Sequence, residues 1–314
     1  MTTDRPLLGI LLMLGFCIVA PLADAVAKIL GQTIPVAQLV FIRFAVQVLL
    51  LAPLIVLTRR PWRMRGRVLR LTILRTFMHI LGIGLMVSAL KYLPLADAVA
   101  IAFVMPFILL VLGKILLGEE VGPRRLLACV VGFAGTMLVI QPSFTAIGWP
   151  ALLPLGVALN FAFFMLVTRQ IAKDTDPIGL QAVSGTMAVA FMAPVLLLGS
   201  ATNMPLLHSV APSAMEWALL AAIGGLGTLG HLLMTWSLRY APSATLAPMQ
   251  YLEIPVAALL GWMIFLDWPN DLALAGICIT VAAGLYVMLT EKASARPRAP
   301  RAPERPARIP SPAE

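Results

Sequence analysis

The stretches Leu90-Lys91-Tyr92-Leu93-Pro94 and Leu238-Arg239-Tyr240-Ala241-Pro242 lie 148 residues apart and carry one pattern: leucine, a cation, a tyrosine, a small or apolar residue, then proline. The correspondence continues downstream at an offset of 149, where Pro106 matches Pro255, Cys129 matches Cys278, and Ala134-Gly135 matches Ala283-Gly284. A 314-residue chain with a period near half its length is built from two copies of one unit.

The segments around the repeated motif are apolar. The chain is 60% hydrophobic and 12% charged, with a mean hydropathy of +0.94, whereas soluble domains run near ~25% charged. Such a chain has too little charge to wrap a soluble core, and the bilayer is the solvent that fits it. Stretches long enough to cross a membrane lie at 7–29, 34–57, 69–90, 94–117 and 125–140, then at 149–167, 177–199, 214–238, 242–266 and 271–290. In lipid they must be helices, because every backbone polar group needs a partner within the chain. The expected fold is an all-α integral membrane protein of ten transmembrane helices in two five-helix repeats, over 1–141 and 142–291. Five is odd, so the second repeat enters the membrane inverted, an arrangement typical of secondary transporters. A Pro-, Arg- and Ala-rich tail over 292–314 cannot form a core and is expected to be disordered.

Loop charge orients the chain. With the N-terminus in the cytoplasm, Arg5, the arginines between 59 and 70, Lys114, Arg124, Arg125, Arg169, Lys173 and the basic tail all fall inside, 18 of 23 basic residues. Lys28, Lys91 and Arg239 are assigned outside, and Arg43 and Arg75 fall within helices. Both termini are therefore expected in the cytoplasm, and the chain is expected to be a multi-pass protein of the bacterial inner membrane. The same bias accounts for a pI near 10.1 without a nucleic-acid partner. Cys17, Cys129 and Cys278 show no disulfide or metal spacing, and no metal or cofactor is expected.

FIRF at 41–44, ALKYLPLADAVAIAFVMPF at 89–107, GEE at 118–120, GFAGTMLVI at 132–140 and APMQYLEIPVAALLGWMIF at 247–265 carry a resemblance. With these motifs the chain, from 7 to 290, resembles the EamA type of the drug/metabolite transporter superfamily. The resemblance implies a cavity lined by helices 1–4 and 6–9, with helices 5 and 10 at the periphery. The first-half stretch looks most like bacterial members assigned to riboflavin or S-adenosylmethionine uptake. Leu266-Asp267-Trp268 departs from the Gly-Glu often found there in the family, which should affect the loop more than the cavity.

Ionisable residues inside a membrane are costly, about 2.5–3.5 kcal/mol at a helix centre, and default to functional candidates. Glu253 is the deepest acid, between Pro248 and Pro255, each of which frees a backbone carbonyl one turn earlier. Arg43 and Arg75 could hold an anionic group or pair with Glu253 or Asp97. His79 follows Arg75 by one turn, and the repeat places His231 opposite Ile83, so both histidines could face one cavity or serve as hydrogen-bonded structure. Gln250, Tyr251 and Asn160 complete the candidate substrate or coupling set. The heptapeptide PLADAVA recurs at 21–27 and 94–100, placing Asp24 and Asp97 near the outer helix ends, with Lys28 spaced for an i,i+4 pair with Asp24. These three are expected at an outer vestibule. The glycine run from Gly224 to Gly230 is expected to let helices approach closely.

The competing class is an intramembrane enzyme, for which Ser184-Gly185 and His231 are the nearest approach to a serine-protease pair. Ala182 stands where a glycine would be needed, and no Gly-x-Gly-Asp, His-Glu-x-x-His or Walker motif occurs. The expected function is secondary transport of a small polar organic metabolite. Riboflavin uptake is the first candidate, with S-adenosylmethionine uptake and export of amino acids or related metabolites as alternatives. The chain could act as a homodimer. A fluorescent protein fused after Glu314 should be bright, and a periplasmic phosphatase at the same place silent; the reverse pattern would end this topology.

Overall fold

A computed structural model describes residues 5–93, 95–140, 148–202, 209–266 and 270–294. Every regular element among them is helical. In order these are α1 (Pro6–Leu30), α2 (Val36–Thr58), α3 (Gly66–Tyr92), α4 (Leu95–Ala102), α5 (Met105–Leu117) and α6 (Pro123–Ile140). The second half holds α7 (Leu152–Ala172), α8 (Pro177–Thr202), α9 (Ala214–Tyr240), α10 (Ser243–Leu246), α11 (Glu253–Phe265) and α12 (Asp271–Ser294). Seven stretches are long and apolar enough to cross a membrane: α1, α2, α3, α7, most of α8, α9, and Ser243–Phe265 taken together. The other three expected spans fall on α4 with α5, on α6 and on α12.

Two of the expected spans are not continuous helices. The fourth is interrupted at Phe103-Val104, just before Pro106, and the ninth is a single turn, a 3₁₀ stretch over Ala247–Leu252, and then α11. Pro248 cannot donate to the helix ladder and Pro255 clashes with the carbonyl four residues earlier, so the intervening backbone tightens to i→i+3 bonds. The sequence period had anticipated one unbroken helix over 242–266.

The duplication is visible in the element boundaries. The limits of α3 recur in α9, those of α5 in α11, and the start of α6 in the start of α12, each 148 residues later. Helices α5 and α11 even stop alike, on a left-handed residue, Gly118 at φ 64° and Leu266 at φ 61°. The packing repeats too. Helix α1 lies chiefly against α9, and its counterpart α7 against α3; α2 pairs with α8 and α6 with α12. The two halves therefore interleave, and each half finds most of its packing on the other.

One charge assignment is corrected. Arg239 was expected outside, but its Nη1 donates to the Thr175 carbonyl at 2.7 Å, and Arg169 Nη1 donates to the Leu238 carbonyl at 2.6 Å. The α9–α10 corner thus lies at the same end as the α7–α8 corner and the Arg60–Asp176 pair (2.9 Å). Counting alternate loops from a cytoplasmic N-terminus puts it inside, which strengthens the bias. The tail beyond residue 294 lies outside the described residues.

Leucine in the left-handed region costs about 1–2 kcal/mol, and Leu266 is 82% exposed, so little packing offsets it. Leu266→Gly is therefore expected to raise thermal stability in detergent by up to about 1 kcal/mol after the glycine entropy is subtracted. Gly118→Leu should lower it. Equal melting of both variants and the parent would refute the strain.

Candidate functional site

The break in the ninth span decides where Glu253 sits. It is the first residue of α11 and follows the 3₁₀ stretch directly, its backbone N–H donating to the Gln250 and Tyr251 carbonyls. It opens onto a cavity of about 140 Å³ between the two halves. Asp24 of α1, Arg43 of α2, His79 of α3 and His231 of α9 line the same space. Neither α6 nor α12 contributes to it.

The histidines meet across the interface of the halves. Their Nε2 atoms are 2.9 Å apart, one donating and the other accepting, and Arg43 Nη1 lies 3.5 Å from His79 Nε2. Both Nδ1 atoms are buried without a hydrogen-bond partner. Rings hold the pair in place: Phe44 meets His79 edge-on at 4.9 Å, and Phe164 meets His231 edge-on at 5.6 Å. Phe16 and Phe161 stack at 6.2 Å and, with Phe103, form apolar wall. Gly227 makes room for Arg43, since a Cβ there would strike the guanidinium. Gly224 likewise admits Val46, so the glycine run brings α2 against α9.

The charges follow an order. Glu253 lies within electrostatic range of Asp24, Asp24 of Arg43, and both Arg43 and Arg75 of the histidines. Among the described residues no ion pair joins Arg43 to Glu253, and the Glu253 carboxylate has no hydrogen-bond partner. The pairing of these two that the sequence allowed is not made.

Other candidates lie elsewhere. Arg75 is fully buried behind the cavity wall, donating from Nε to Thr168 Oγ1 and from Nη1 to Ser184 Oγ, both at 2.9 Å, with Phe164 beneath its guanidinium at 4.5 Å. Ser184 is thus engaged by Arg75 and makes no dyad with His231. Asn160 ties α7 to α3 by donating to the Met78 carbonyl at 2.8 Å. Gln250 donates to Met165 Sδ at 3.2 Å, and the Tyr251 ring packs on Phe103 and over Gly132; both are buried away from the cavity lining. Asp24, expected at the outer vestibule, lines the central cavity instead. Lys28 reaches away from it, with Nζ over the Phe265 ring at 4.9 Å. The side chain of Asp97 lies outside the described residues.

The sequence reading missed a polar seal at the arginine-rich end. Glu119 accepts from Ser243 Oγ (2.6 Å), from the Ala244 N–H (2.9 Å) and, through its other oxygen, from the Ser243 N–H (3.1 Å). Arg169 Nε stands 3.6 Å from the same carboxylate. The Arg5 N–H donates to the Tyr240 carbonyl at 2.8 Å, and Ser237 Oγ to the Gly9 carbonyl at 2.7 Å. Every one of these bonds joins one half to the other. Only the GEE motif hinted at Glu119, and nothing linear links it to Ser243.

The EamA-like transporter family model matches residues 7–141 and again 148–290. The chain belongs to the EamA-like transporter family. It is similar to a riboflavin transporter of Brucella anthropi, 26% identical over 84% of this chain and 91% of the relative. It is similar to an S-adenosylmethionine uptake transporter of Rickettsia prowazekii, 23% identical over 91% of this chain and 94% of the relative. A pseudopaline exporter of Pseudomonas aeruginosa is 25% identical over 90% of this chain and 97% of its own. A crystal structure superposes with a TM-score of 0.69 at 18% identity, covering 90% of this chain and 98% of that one, which shows the fold. Family and relatives agree on a multi-pass membrane transporter of small metabolites, and the relatives' names differ in solute and direction.

Arg75 should behave as a structural cation. Arg75→Lys keeps the charge but loses the two-directional fork, forfeiting about 1–3 kcal/mol of charge-assisted bonding. The melting temperature should fall while ligand affinity changes less than about twofold. Lost affinity at unchanged melting would make Arg75 a binding residue.

Proposed function

We propose that this protein is a secondary transporter of the bacterial inner membrane, carrying a small polar organic metabolite by alternating access. In this reading the ten spans form two inverted five-helix repeats with both termini in the cytoplasm. The carrying observation is a cavity between the halves, lined by charged side chains from both, above a seal of inter-half hydrogen bonds at the arginine-rich end. Transporters place the solute near the membrane midplane, beside interrupted helices, and rock one repeat against the other. Glu119 and Arg169 are the groups that such rocking must release, because they hold the cytoplasmic mouth shut.

Glu253 is the candidate coupling group. It sits at a helix break, faces the cavity and accepts no hydrogen bond among the described residues, so a proton or a solute can occupy it in turn. Riboflavin and S-adenosylmethionine, the solutes named for the relatives, are the first to try, with export of an amino-acid-derived metabolite as the alternative direction.

Uptake of each labelled solute into proteoliposomes, with and without a proton gradient, tests the reading. No transport of any of them in either direction would remove it. Glu253→Gln should fold and, at solute concentrations that saturate it, lose gradient-driven accumulation by about tenfold or more. Accumulation equal to the parent would end the coupling role. For the seal, Glu119→Ala combined with Ala241→Cys should label faster with an impermeant maleimide from the cytoplasmic face of inverted vesicles than Ala241→Cys alone. Equal labelling would show that Glu119 does not close that mouth.

A further inference from the structure

We propose that the cavity selects a zwitterion with an apolar or aromatic body, its cationic group at Glu253 and Asp24 and its anionic group at Arg43 and the histidine pair. The inference rests on the transporter reading and names the class of solute for the same cavity.

Charge order is the first support. From α11 across α1 to α2 and α3 the ionisable groups run Glu253, Asp24, Arg43, then His79 with His231, and the electrostatic neighbours are consecutive members of that row. Arg75 stands behind the histidines and acts on them from outside the cavity. Two carboxylates therefore face the Arg43 guanidinium and the histidine pair across one small space, with the Arg75 charge behind the wall. A monovalent ligand would leave one pole uncompensated in a medium where unpaired charge is costly. A zwitterion matches both poles at once.

Unmet bonding capacity is the second support. His79 and His231 are 3% and 7% exposed, line the cavity, and keep Nδ1 atoms with no partner. Among the described residues the only hydrogen bond of the Arg43 side chain is the long contact to His79, which leaves its remaining N–H groups available for a carboxylate. At the other pole Glu253 accepts from nothing among the described residues.

The walls are the third. Phe16, Phe103, Phe161, Met78 and Met86 surround the charged row, so the body between the ligand's poles meets rings and thioethers. A flavin, neutral at its ring system, would use the walls and leave both poles bare.

The test is a matched binding panel on the purified full chain in nanodiscs. One series shares the adenosyl body: S-adenosylhomocysteine (zwitterion), S-adenosylmethionine (zwitterion with a further cation), decarboxylated S-adenosylmethionine (no carboxylate) and methylthioadenosine (neutral). A second shares a phenyl body: phenylalanine, phenethylamine and 3-phenylpropionate, with riboflavin beside them. The zwitterions of at least one series should bind about tenfold or more tightly than the forms of the same body lacking either charge. Arg43→Gln should bring the zwitterion down to the amine, Glu253→Gln down to the acid, and Arg43→Lys should recover part of the loss. Because the parent's own ratios decide, a variant that fails to fold leaves the test intact. Zwitterions that bind no better than the single-charge or neutral forms overturn the proposal. So does riboflavin binding that both substitutions leave unchanged, an outcome in which the transporter reading survives and only the charge class falls.

Discussion

Backbone without water has no partner except other backbone, and the two interrupted helices are where this chain departs from that rule. The breaks at Phe103-Val104 and over Ala247–Leu252 sit in the middle of a bundle that is otherwise continuous helix. Each is enclosed by other helices of the bundle, which is what allows irregular backbone at membrane depth. Everything of chemical interest is arranged around them: the start of α11 presents Glu253, the start of α5 borders the same cavity, and the peripheral helices α6 and α12 pack behind the breaks through Gly132 on Tyr251 and Gly284 on Leu252. A side chain at either glycine would push the interrupted segment toward the cavity.

Two kinds of buried polar group result, and their partners separate them. Arg75, Asn160, Gln47 and Gln181 are tied to a neighbouring helix by short hydrogen bonds, as Gln47 is to the Gln181 carbonyl at 2.6 Å. Buried polar groups bonded across helices in this way hold them in register, even though Arg75 Nη2 and Gln47 Oε1 have no hydrogen-bond partner among the described residues. Glu253, Asp24, Arg43 and the histidine pair open onto empty volume with capacity to spare. Sequence depth alone ranks Arg43 and Arg75 together. Partner count divides them, one into the cavity and the other into the wall.

The interleaving of the halves gives the seal its meaning. Because α1 packs on α9 and α7 on α3, a rotation of one half must slide long helix–helix surfaces. Those surfaces are smooth where glycine and alanine meet, as at Gly9 on Ala241. At the arginine-rich end the directional bonds between the halves include those by which Glu119 caps the first turn of α10 and Ser237 reaches the Gly9 carbonyl. A few such bonds are separable in a way that a packed apolar surface is not, which suits a mouth that must open.

What the sequence by itself determined is whatever one-dimensional physics controls. Low charge and long apolar runs dictated a helical membrane protein, and the 148-residue echo of a cation-Tyr-x-Pro motif revealed the duplication. Glu253, Arg43, His79 and His231 were also legible, because ionisable groups within apolar runs stand out without any coordinates. Tertiary structure decided the rest. Only packing could set Asp24 in the centre when its position along α1 suggested the rim, draw two histidines 152 residues apart to 2.9 Å, and hide Arg75, Gln250 and Tyr251 in the wall. Helical period says which residues share a face. Which neighbour covers that face depends on how the two repeats interleave, and no local pattern in the chain encodes it.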